Sequence, residues 1–187
     1  MPVQIRPDTF SMVFFDATEV QGIVEKLVAE VGLPADLLVT IEIDETTPMG
    51  RVSTESLRPL VLAVESGAFE DAKRPRQLSE QAVADVLGRL LHRSKDRLDP
   101  SFGEPPPDAG LTLQQSTAWD AYAVGRCAKL GYPVQRQRRL YHFRNRHGFN
   151  DVADRAFARL WDAEGLTWAD LQAVCDETDA AKAATVG

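Results

Sequence analysis

The residues best equipped for chemistry lie between 134 and 147, where Arg136, Arg138, Arg139, Arg144 and Arg146 stand with His142 and His147 and no carboxylate interrupts them. Guanidinium groups grip carboxylates and phosphates through paired N–H donors, so the segment suits an acidic or phosphorylated partner or ligand. On a helix, at about 100° per residue, Arg138, Arg139, His142 and Arg146 share one side, while Leu140, Tyr141 and Phe143 supply an anchoring side. As a strand, Leu140 and His142 would face away from Tyr141 and Phe143 and the basic ridge would be rearranged. Aromatic rings set among arginines also suit stacked nucleotide bases. The other use for these arginines is ordinary salt bridging to acidic residues elsewhere in the chain.

A second cluster, Glu42, Asp44 and Glu45 followed by Thr46 and Thr47, closes an alternating apolar segment. Carboxylates at a strand end serve general acid–base chemistry or hold magnesium, and they equally keep the outer face of a sheet soluble. Glu42 or Asp44 brought together with His142 and His147 would make an acid–base or metal-assisted hydrolase. The two histidines are five residues apart, about 140° around a helix, so one helix cannot easily aim both at one ion. No His-Glu-x-x-His, Cys-x-x-Cys, Gly-x-Ser-x-Gly, Gly-x-Gly-x-x-Gly or P-loop pattern occurs. The expectation is therefore a binding or interaction protein without catalytic activity, metal or cofactor, working through Arg138, Arg139, His142 and Arg146. A third reading is a carrier of a small apolar ligand, with Trp119, Tyr122, Phe157 and Trp161 lining a cavity, although aromatics at helical spacing more commonly form core.

The net charge of −7 is unevenly spread over the 187 residues. Between 8 and 71 there are thirteen acidic and three basic residues, and between 73 and 97 seven basic and three acidic. A pI near 5.0 argues against nucleic acid, whose affinity comes from displacing counterions at many phosphates. Residues 1–10 include Arg6 and Asp8 and lack the apolar stretch that export requires, and no run approaches the roughly 20 residues of a membrane span. A cytoplasmic location is expected. Cys127 and Cys175 fall on apolar helix faces, as buried free thiols do.

These groups need elements to position them. Asp16 with Glu19 opens a helix whose stripe runs from Val20 to Val31 and stops at Gly32 and Pro34. Leu37, Val39, Ile41 and Ile43 alternate as a half-buried strand, 51–56 and 60–65 add two more, and 12–15 is a candidate fourth. Arg74, Pro75 and Arg76 lead into a helix capped by Ser79, with His92 opposite its apolar stripe and expected in solvent. Residues 99–110, with Pro100 and Pro105 to Pro107, cannot sustain a helix or inner strand and read as a linker. Beyond it all signals are helical: a capping box at Thr112 and Gln115, an Asn150 cap, and a last helix opened by Thr167. That helix follows the preceding one at helix-turn-helix spacing, but its Asp170, Asp176 and Glu177 have the wrong sign for a recognition helix. The fold expected is α+β: residues 1–98 with a small antiparallel sheet of three or four strands, the linker 99–110, a helical part 111–178 packed on the sheet, and a frayed tail 179–187.

Overall fold

The computed structural model describes residues 2–186, the side chains of 185 and 186 excepted. The fold is α+β, and the chain divides into two compact units, Met1–Leu98 and Asp99–Gly187.

In the first unit, β1 (Val3–Arg6) leads through α1 (Ala17–Val31) into β2 (Val39–Asp44), followed by β3 (Val52–Leu57) and β4 (Leu60–Glu65). The order across the sheet is β1-β2-β4-β3. The pairs β1–β2 and β2–β4 are parallel, and only β3–β4 is antiparallel, so the sheet is mixed rather than antiparallel. The reason lies in the chain path: α1 carries the chain back to the starting end, and β4 inserts between β2 and the hairpin strand β3. The apolar β4 takes an inner place, while β3, with the sequence VSTESL and no fully buried residue, takes an edge. Val39, Ile41, Ile43, Leu60, Leu62 and Val64 make the buried face.

Asp16 caps α1 by accepting from the Thr18 backbone N–H, and Gly32 ends it in the left-handed conformation at φ 74°. The candidate strand at 12–15 is instead an irregular segment with one bridge, Phe14 to Gln77. Its amides have another acceptor: the Glu45 carboxylate takes the N–H groups of Ser11 (2.8 Å), Met12 (2.6 Å) and Val13 (3.3 Å). Residues 74–78 form strand β6 (Arg74–Leu78), paired with β5 (Glu70–Asp71), before α2 (Glu80–Leu98). His92 is buried at 5% exposure rather than solvated, in a stretch of α2 where Arg93, Ser94 and Asp96 are buried too. The apolar stripe of α2 marked only one of the faces that become buried.

The second unit holds α3 (Leu113–Lys129), α4 (Arg136–His147), α5 (Asp151–Asp162) and α6 (Trp168–Val186) around a core of its own. The segment read as a linker supplies part of that core. Phe102 stacks on Trp119 with ring centroids 5.3 Å apart, and its carbonyl accepts from the Trp168 N–H at 2.7 Å. Of the segment read as a frayed tail, 179–186 continues α6, and Gly187 lies outside the described residues: Asp179 accepts from the Gln114 amide, and Lys182 donates to the Arg146 carbonyl. Helices α3 and α5 approach closely at Gly125, where a Cβ would overlap the Trp161 carbonyl, so any side chain would force them apart. Cys127 and Cys175 are buried thiols outside any disulfide, and burial pushes the Cys175 thiol up to about 11. Among the described residues no helix is long and apolar enough to cross a membrane.

Candidate functional site

The segment 136–147 is the helix α4, and its wheel has a clear inside. Phe143 and His147, four residues apart, are fully buried, and Arg136 lies over the rings of Phe157 (5.3 Å) and Trp161 (5.6 Å). Phe143 packs edge-on against Phe157 and stacks on His147 at 3.8 Å. Arg144 is held by a bidentate pair with Asp154 of α5, Nε to Oδ1 at 2.7 Å and Nη2 to Oδ2 at 2.6 Å. Hydrogen bonding to Asp154 raises the Arg144 pKa and lowers that of Asp154. These contacts tie α4 to α5, and the ring nitrogens of His147 extend the ties to Gln114 of α3 and Thr178 of α6.

His147 is one of those ties rather than a catalytic or metal-binding group. Its Nε2 lies 3.1 Å from the Gln114 carbonyl, which can only accept, so the proton sits there. Nδ1 lies 2.7 Å from the Thr178 hydroxyl, which is also within reach of the Val174 and Cys175 carbonyls at 3.1 and 3.0 Å. Burial lowers its pKa to about 4, the nearby Lys182 cation acting in the same direction. A ring with both nitrogens taken inside the core has none left for a metal or a substrate proton, which removes His147 from the hydrolase reading.

The outer side of α4 carries Arg138, His142 and Arg146, all exposed. Among the described residues the side chains of Arg138 and Arg146 form no ion pair. Arg139 departs from the expected ridge: it is half-buried and engaged by neighbours. It sits about 40° from Phe143 on the wheel, close enough to be drawn toward the core. Tyr141 departs in the opposite sense, being 59% exposed instead of anchoring the helix. It lies about 60° from Arg138 and about 160° from Phe143, so wheel arithmetic, unlike hydrophobicity, assigns it to the outer side.

A residue the sequence reading missed joins it. Phe149, 66% exposed, meets Tyr141 edge-to-face with centroids 6.2 Å apart, and the Tyr141 ring in turn lies 6.4 Å from that of His142. Phe149 precedes the α5 cap Asn150, the position where an apolar residue normally staples onto the fourth helical residue. That residue is Asp154, engaged with Arg144, so Phe149 has no apolar partner there. This signal was readable from the sequence.

Glu42 and Asp44 come together at the carboxyl ends of the parallel strands, beside a pocket of about 510 Å³ also lined by Arg6, Arg51, Ser53 and Glu65. Glu42 lies 4.0 Å from Arg6, and Asp44 accepts from both the N–H and the hydroxyl of Thr46, which lowers its pKa. The neighbouring Glu45 is occupied by the amides of Ser11, Met12 and Val13. Among the described residues no group of three or more His, Cys, Asp or Glu side chains is placed to hold a metal ion. Trp119, Tyr122, Phe157 and Trp161 are packed core of the second unit, Phe157 lying 5.5 Å from Trp161, and not the lining of a carrier cavity.

Comparison with protein-family models, curated proteins and solved structures found no match.

Proposed function

We propose that this is a binding protein without catalytic activity, whose outer α4 face meets an acidic or phosphorylated partner or ligand. The observation that carries the reading is the pair Arg138 and Arg146, exposed and without an ion pair among the described residues, on a helix with no carboxylate. The inner face supports it, because the anchors of Phe143, Arg144 and His147 hold α4 in place before any partner arrives. A preorganised cationic row avoids much of the ordering cost of binding. The setting we propose is cytoplasmic, where two thiols outside any disulfide persist.

The test is a nuclear magnetic resonance titration of the ¹⁵N-labelled chain, with poly-L-glutamate and separately with inorganic phosphate. Saturable shifts centred on Arg138, His142 and Arg146, weakened by salt and absent from the Arg138→Glu/Arg146→Glu variant, are the expected result. Shifts confined to other regions would overturn the reading. So would a stoichiometric metal in protein isolated from its own host.

A further inference from the structure

The partner has a second requirement besides negative charge, set by the exposed rings. Tyr141 and Phe149 are among the most exposed large hydrophobic residues of the second unit, and they touch each other. Their planes meet at 67°, edge against face, which leaves the remaining ring faces turned to solvent as one angled apolar surface. His142 lies beside Tyr141, so the ring pair adjoins the row of Arg138, His142 and Arg146 directly. Along the helix axis Arg138, His142 and Arg146 rise by about 6 Å per step, close to the roughly 6.6–6.8 Å between same-side residues of an extended chain.

We infer that the ligand of this face is an acidic protein segment that presents carboxylates to Arg138 and Arg146 and lays one aromatic or aliphatic side chain against the exposed rings of Tyr141 and Phe149. The inference rests on the binding role proposed above and names its partner. Tyrosine and arginine are the side chains that most often dominate protein–protein interfaces, and here they are adjacent and held by a packed helix. Single-stranded nucleic acid fits less well. Rings crossed at a steep angle do not form parallel platforms for successive bases, and the two guanidiniums reach only a few phosphates on a chain of net charge −7.

The test compares four fluorescent probes by anisotropy on the full chain: a short peptide of alternating glutamate and serine with one central phenylalanine, the same peptide with alanine there, poly-L-glutamate, and oligouridine RNA. The phenylalanine peptide is expected to bind about tenfold more tightly than its alanine counterpart, the gain from one apolar anchor. Tyr141→Ala should erase that difference while leaving the weaker acidic binding, and Arg138→Glu/Arg146→Glu should abolish both. Because all three residues are exposed, their replacement leaves the core intact, and shift mapping of the phenylalanine peptide on the unmutated chain gives an independent check at Tyr141 and Phe149. Equal affinities for the two peptides would overturn this inference and leave the binding role standing if poly-L-glutamate still maps to α4. Tighter binding of oligouridine than of the phenylalanine peptide would overturn it in favour of nucleic acid. No binding at α4 of any of these probes or of inorganic phosphate would overturn the binding role itself.

Discussion

The carboxylates at 44–45 and the guanidiniums of α4 are both dense patches of one charge, yet their hydrogen bonding is opposite in kind. Asp44 and Glu45 are turned onto backbone: one closes the Thr46 turn, the other holds the amides of Ser11, Met12 and Val13. On α4, Arg144 and Arg136 are likewise occupied, by Asp154 and by the Phe157 and Trp161 rings, but Arg138 and Arg146 point outward without a carboxylate partner among the described residues. Charge density therefore does not mark a binding surface. What marks it is charge left over once local structure has been satisfied.

The same contrast separates the two histidines of α4, His147 inside and His142 outside, and it can be broken most sharply there. His147→Ala should cost about 3–4 kcal/mol in denaturant unfolding, through the lost stack on Phe143, the cavity left in the core and the lost hydrogen bonds to Gln114 and Thr178. If that variant unfolds at the same denaturant concentration as the unmutated chain, the inner face is not what holds α4.

A slightly smaller effect follows from acid. The unfolded histidine takes up a proton near pH 6.5, whereas the folded His147 stays neutral down to about 4. The stabilisation is therefore fully present above pH 6.5 and falls as the pH drops, because the unfolded state binds the proton first. About 3 kcal/mol should be lost by pH 4, read as the difference in pH dependence between the unmutated chain and His147→Gln, which also subtracts the titration of the carboxylates. A His147 ring titrating near 6.5 by nuclear magnetic resonance would remove the assignment of a buried, neutral ring.

The smallest effect compares two arginines. Arg144→Gln should lower the melting temperature modestly, since its bidentate pair with Asp154 is partly exposed. Arg138→Gln should leave it unchanged. Equal losses from both would mean that Arg138 is engaged after all, and the distinction between occupied and available charge would collapse.

Several of these features could be read before folding. The capped start of α1 at Asp16, its Gly32 stop and the Thr112 capping box are local signals that the structure shows, and the alternation through β2 holds except at Thr40, which is buried. The parallel pairing in the sheet was not legible, because alternation says which residues share a face but not which strand lies alongside. Phe102 and Asp179 were hidden by composition: proline-rich and terminal segments read as loose, while one buried ring and one pair of hydrogen bonds suffice to seat them.

By itself, the sequence determined that α4 is cationic, that it carries no carboxylate, and which of its residues share a side, since those follow from residue type and helical period. Only the tertiary structure decided which side faces inward. That choice depends on Gln114, Asp154, Phe157 and Thr178, which lie up to 33 residues away along the chain and meet α4 only after the helices pack. Their arrival makes His147 part of the core, draws Arg139 toward it, and leaves Arg138, Tyr141, Arg146 and Phe149 to meet whatever binds.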